Sequence, residues 1–238
     1  MMPPLGWDFF DKIYCITLDS RPDRMEAAKQ QFAAVGLNGR VEFFLVTKDD
    51  TDPARGIYQS HLRCLSQGLA TGARQILVFE DDVVFRGFSE ERLGAACRFL
   101  QQTGTWDAFF LGCLTSSSRR TDEDAVVRIT YRCLSHAYAL SRSCAERIVR
   151  EQWSGIPFDG LLRRCNAHFL ALYPLCAFQG MASSDNETVW IDRLRNLCGG
   201  LLFIQRCNEI YQNHKGLVLA LHLLVAAVAI ALLTVARQ

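Results

Sequence analysis

The chain has 238 residues, half of them apolar, with 26 Lys and Arg against 25 Asp and Glu and a formal net charge of +1. That length suffices for one large α/β domain or two small ones with a full core. A balanced charge without any basic block excludes nucleic acid as the main partner, because Arg119-Arg120 and Arg163-Arg164 are isolated pairs. Ten scattered cysteines show neither CxxC pairs nor Cys/His ligand spacing, which argues against zinc and reads as buried reduced thiols. Residues 1–11 hold no apolar signal core, so the body is expected in a reducing compartment.

In chain order, residues 12–18 read as a strand, and residues 19–24 as a loop entering a helix at 23–35. Ser20 is a candidate cap, Pro22 suits the first turn and Gly36 ends the helix. A second strand at 40–46 and a polar loop at 48–53 precede a helix at 58–69. Residues 75–85 form an apolar strand interrupted by Glu80-Asp81-Asp82. Ser89 caps a helix at 90–102, and residues 106–111 form a strand ended by Gly112. Residues 115–124 read as a polar, mobile loop. Strands follow at 125–131 and 137–140, a helix at 141–151 capped by Ser141, a short helix at 156–166 and a strand at 168–173. Residues 180–187 read as loop and 188–197 as helix. Strands alternating with helices predict an α/β, Rossmann-like, mostly parallel sheet flanked by helices. Residues 1–198 would form that domain, and 199–216 a juxtamembrane segment.

Residues 217–236 carry no charge and are interrupted only by His222 and Thr234. At ~1.5 Å per residue, about 20 residues match one hydrocarbon core. They predict a transmembrane tail anchor, with the preceding domain on the cytosolic side.

Three adjacent carboxylates in an apolar strand need compensation, since burying them unpaired is costly. A divalent metal at the carboxyl end of a strand supplies it, and Mn2+ or Mg2+ would also bridge to substrate phosphates. Asp81 points opposite to its neighbours if the pleat continues. The competing reading is a strand that ends in a solvated acidic turn.

Further blocks surround this strand. They are residues 13–24 with their Arg21-x-x-Arg24 turn, Ser60-His61-Leu62, residues 77–83, Trp106-Asp107 before Leu111-Gly112, and residues 135–141. Pro157-Phe158-Asp159, Tyr173-Pro174 and Ser184-Asp185 complete the series. In order and spacing the chain resembles glycosyltransferase family 25, the group of bacterial lipooligosaccharide galactosyltransferases and collagen galactosyltransferases. The resemblance covers most of residues 12–195. It implies a GT-A fold and inverting transfer of a hexose such as galactose, from a nucleotide-diphosphate sugar, with a UDP-sugar expected, to a hydroxyl of a glycan or lipid-linked acceptor. Two departures stand out: residues 52–59 lack the Gly-Cys of many relatives, and Leu175-Cys176 stand where some eukaryotic relatives have histidine.

The resemblance makes Glu80-Asp81-Asp82 the family's Asp-x-Asp equivalent, with Asp82 the principal metal ligand and Glu80 in the ribose or metal shell. Asp81 then meets the donor sugar or a basic partner. Arg21 and Arg24 suit bidentate phosphate contacts, or pair with Asp19 or Asp23. His61 and, less directly, His136 are expected near the acceptor or diphosphate; either also fits a core histidine bonded to backbone. Asp159 is expected to bind the acceptor or act as general base, unless it merely caps its helix. Asp185, slightly less favoured than Asp159 for the base, is placed in a loop over the diphosphate or metal. A non-catalytic member, acting as an anchored binding or scaffold protein, is the alternative.

Overall fold

The computed structural model describes residues 6–165, 168–180 and 200–235, with side-chain surroundings as far as residue 227. A 3₁₀ turn, Gly6–Phe9, precedes β1 (Lys12–Leu18), α1 (Pro22–Ala34), β2 (Glu42–Val46), α2 (Pro53–Ala70) and β3 (Gln75–Glu80). Then come β4 (Val83–Phe85), α3 (Glu90–Thr103), β5 (Ala108–Arg120), β6 (Val126–Ser141), α4 (Arg142–Ile148) and α5 (Phe158–Arg164). The chain continues with β7 (Phe169–Leu172), β8 (Ala177–Gln179), α6 (Gly200–Asn213) and α7 (Lys215–Val235).

Six strands form one sheet in the order β2-β1-β3-β6-β5-β7, and β4 pairs with β8 in a separate ribbon. The main sheet is mixed rather than mostly parallel. β1 runs parallel to β2 and β3, and β5 to β7, whereas β6 is antiparallel to β3, β5 and β7. The sheet is covered on both faces because successive residues of each inner strand are apolar and point alternately to either side. Ile13, Cys15, Leu77, Phe79, Ala137 and Ala139 pack with Phe32 of α1 and with Leu93 and Leu100 of α3. Tyr14, Ile16, Ile76, Val78, Tyr138 and Leu140 pack with Leu65 of α2, Ile148 of α4 and Phe158 of α5. Cys15, Cys64, Cys97, Cys113, Cys144 and Cys176 are buried free thiols.

Helix starts follow side-chain chemistry. Ser89 accepts a hydrogen bond from the Arg92 amide and Ser141 from the Cys144 amide. Ser20 does not cap α1: the cap position is Arg21, with Pro22 at the first turn. α2 begins at Pro53, with Asp52 accepting from the Arg55 amide. Residues 115–120, expected as mobile loop, continue β5, whose partner β6 is one unbroken element over the two strands expected there.

The membrane span expected at 217–236 is corrected. Among the described residues, no helix is long and apolar enough to cross a membrane. The described side chains of α7 end at residue 227. The membrane contact inferred from that span loses its support with it. The segment before it is no simple tether either, because residues 200–213 form α6, which docks on β5 and β8.

Candidate functional site

The carboxyl end of β3 carries the three acids, and the pleat distributes them. Glu80 follows Ile76 and Val78 toward the α2 face, while Asp81 follows Phe79 toward the α1 face. Each therefore meets a different set of partners.

On the α2 face, Glu80 Oε1 lies 3.4 Å from His61 Nε2 and accepts a hydrogen bond from Ser135 Oγ at 3.2 Å. The His61 ring stacks on Phe158, with centroids 4.1 Å apart and planes within 5°. Its Nδ1 is 2.9 Å from the Tyr138 hydroxyl. Burial pushes the Tyr138 phenol well up. The other ring nitrogen of His61, Nε2, faces Glu80. Burial pushes the Glu80 carboxyl up, but His61, His136 and Ser135 outweigh it and hold the group below its ordinary value.

On the α1 face, Asp81 Oδ2 accepts from Thr17 Oγ1 at 2.6 Å, and Oδ1 lies 3.5 Å from Arg24 Nη1. Burial nevertheless raises the Asp81 carboxyl, with Thr17 and Arg24 only partly offsetting it. Arg21 forms a bidentate pair with Asp23, at 2.9 and 2.8 Å, and its charge also favours the ionised Asp81 carboxyl.

Asp82 sits in the turn from β3 to β4. Gln179 Nε2 donates to its Oδ2 at 2.9 Å, and the Gly180 amide donates to its carbonyl at 2.7 Å. Among the described residues, the buried Oδ1 has no hydrogen-bond partner. Burial, with the charge of Glu80, pushes this carboxyl up to about 7. A buried orphan carboxylate oxygen beside a second acid fits a divalent cation. Among the described residues, however, no group of three His, Cys, Asp or Glu side chains could hold an ion.

The other expected residues fall into three situations. His136 is buried beside the cluster, its Nε2 3.2 Å from the Ala177 carbonyl and its Nδ1 without a partner. Gly112 makes this approach possible, since a Cβ there would lie 1.8 Å from the Ala177 oxygen and 2.7 Å from His136 Nε2. Asp159 lies in the first turn of α5, where the cap position is Pro157. Its Oδ1 accepts from the Tyr131 hydroxyl at 2.6 Å and its Oδ2 from the Leu134 amide at 3.0 Å. Asp185 lies outside the described residues.

Sequence reasoning did not place Thr17, Tyr138 or Gln179 among the site residues. Thr17 had one available signal, a hydroxyl among apolar residues of β1. Gln179 had none, because β8 is three residues long and lies 97 positions from Asp82.

No family model matches the sequence, and no curated protein matches it. Among solved structures, A197 from STIV is similar at 12% identity and TM-score 0.46, covering 71% of this chain and 84% of that one. Mannose-1-phosphate geranyltransferase from Thermus thermophilus gives 13% and 0.42, with 68% and 73% covered. UDP-glucose pyrophosphorylase complexed with UDP-glucose gives 10% and 0.42, with 70% and 75% covered.

Proposed function

We propose that the chain is a glycosyltransferase of the family 25 type, moving a hexose from a nucleotide-diphosphate sugar, a UDP-sugar, to a hydroxyl acceptor with inversion. The observation that carries this reading is the buried, unpartnered Oδ1 of Asp82 at the carboxyl end of β3, where open α/β sheets take their ligands. The ordered motif blocks of the sequence support it. Asp82 and Glu80 would hold Mn2+ or Mg2+, with water and donor phosphate oxygens completing the shell. When bound, that ion supplies charge that stabilises the leaving diphosphate. Thr17 and Arg24 hold Asp81, and through it the start of the acidic turn. Arg24 also brings a cation to the donor side, the charge that phosphate recognition needs. Buried Tyr138 and the stacked Phe158 fix His61, which keeps Glu80 ionised and oriented.

One observation favours a binding-only member instead. Asp159, the carboxylate expected to serve as base, has both oxygens engaged by Tyr131 and Leu134.

The test is incubation of the protein with nucleotide sugars and Mn2+ in a survey of hydroxyl acceptors, following nucleotide release. Acceptor-dependent release is expected, and Asp82→Ala lowers it by at least ~100-fold. Binding of nucleotide sugar without turnover would select the binding-only reading. Neither binding nor turnover would reject both.

A further inference from the structure

Leu134 is, among the described residues, the one non-glycine with a positive φ, at 76°. A branched side chain in this left-handed region is strained and persists only where its surroundings hold it. Its place in β6 explains why it exists. Leu114 pairs with Cys133 and Gly112 with Ala137, so Leu134, Ser135 and His136 together oppose the single residue Cys113. This is a β-bulge, and bulges re-aim side chains. Here the residue after Leu134 reaches the acidic strand and the next one reaches β8. Ser135 donates to Glu80 Oε1, and His136 packs beneath Ala177 of β8.

What holds the bulge is Asp159. Its Oδ2 accepts the Leu134 amide at 3.0 Å, an amide that the bulge removes from the β5–β6 ladder. Its Oδ1 accepts from Tyr131, three residues earlier on the same strand. Burial and the Asp159 charge push the Tyr131 phenol well up, so Tyr131 is the donor of that bond. One carboxylate on α5 thus grips β6 on both sides of Cys133. We infer that Asp159 is a positioning residue: it clamps the β6 bulge in its strained form and so aims Ser135 at Glu80. It acts through Ser135 and Glu80, and its effect on ligand binding rests on the reading of Glu80 as part of the donor site.

The clamp and a proton-accepting role separate cleanly by substitution. Asp159→Asn keeps an acceptor for the Leu134 amide and offers its NH2 group to the Tyr131 oxygen, but it cannot serve as a base. Asp159→Ala removes both bonds. Leu134→Gly, added to Asp159→Ala, removes the steric cost that made a clamp necessary. The experiment measures Tm and, well below it, the affinity for UDP with Mn2+ by calorimetry.

Asp159→Ala is expected to lower Tm by about 5 °C and to weaken UDP binding about tenfold. Asp159→Asn is expected to keep affinity within about threefold of wild type. The double variant is expected to recover most of both losses. A Tm loss in Asp159→Ala with unchanged affinity would overturn the link to the site. Recovery of Tm without recovery of affinity would show instead that Asp159 touches the ligand itself. If the wild-type protein binds no UDP, the donor-site reading fails separately. The clamp is then decided by Tm alone, and absence of recovery by Leu134→Gly sinks it. Should Asp159→Ala not fold, Asp159→Asn and Leu134→Gly alone decide. A clamp predicts a folded Asp159→Asn and a Leu134→Gly at least as stable as wild type.

Discussion

At the scale of single residues, three adjacent acids of like chemistry end up in three electrostatic states. Glu80 is held below its ordinary value by His61 and its neighbours, Asp81 is raised, and Asp82 reaches about 7. The difference follows from the pleat, which gives each carboxylate a different wall. A folded-state carboxyl raised above its unfolded value means that the native state binds more protons than the unfolded chain. For Asp82 in metal-free protein, stability is therefore greatest on the acid side and falls as pH rises from about 4 to about 7. Glu80, being lowered, works in the opposite sense and loses its contribution only as pH falls through its own lower range. Asp82→Asn is expected to flatten the metal-free Tm profile between about pH 5 and about pH 8, raising Tm at the upper end. Melting curves in EDTA check this, and a profile as steep as wild type would reject the assignment. The acidic cluster was legible in the sequence as three acids inside an apolar run, which left a compensated site or a solvated acidic turn as its two readings. Their partners were not. Thr17 is 64 positions from Asp81, Ser135 is 55 from Glu80 and Gln179 is 97 from Asp82, and no local pattern encodes such pairings.

At the scale of elements, α6 docks through buried polar side chains while Phe203, Ile210 and Tyr211 stay exposed. Its polar side chains read the backbone of the strands beneath it. Gln205 Oε1 accepts the Gln179 amide at 2.9 Å, and Asn208 both accepts from the Thr115 amide and donates to its carbonyl. Glu209, buried, accepts the Leu175 amide and, at 2.7 Å, Arg206 Nη1. Arg206 in turn lies 4.6 Å over the Phe178 ring. Because Gln179 is the residue that donates to Asp82, α6 holds β8 in register with the site. Glu209→Ala leaves a buried amide and a guanidinium without their shared acceptor, and should cost about 3 kcal/mol. A shift of the urea midpoint measures it, and a loss under about 1 kcal/mol would mean that water replaces the carboxylate. Sequence periodicity does not reveal which face of α6 docks, since the residues that anchor it are polar and would ordinarily face water.

At the scale of the full chain, the two-sided core surrounds the β1-β3-β6 strands, and the large apolar side chains described in α7 lie outside it. Leu217, Leu219, Leu221, Leu223, Leu224 and Val225 are exposed, Leu217 at 72%. Apolar surface left in water contributes nothing to folding free energy. Removal of residues 217–238 should therefore leave Tm within about 2 °C of the full chain. Differential scanning calorimetry of the two proteins tests this, and a larger fall would show that α7 packs on the body. Two anchors of the C-terminal part to the body precede the cut, with Asn213 bonded to Ser118 and His214 to Tyr173.

Local sequence was enough to specify the alternation of strands and helices, the burial of the β1 and β3 strands, the serine caps of α3 and α4, and the place of the acidic cluster at a strand end. These depend on local period, capping chemistry and the cost of burying charge, all of which act over a few residues. It took the folded chain to establish that β6 enters antiparallel and makes the sheet mixed, and that α6 docks through polar groups. The same holds for Asp159, which spends both oxygens on a strained turn, and for the one oxygen of Asp82 left without a partner. Each of these depends on which distant backbone groups meet, and a chain's pattern of apolar and polar residues specifies faces, not partners.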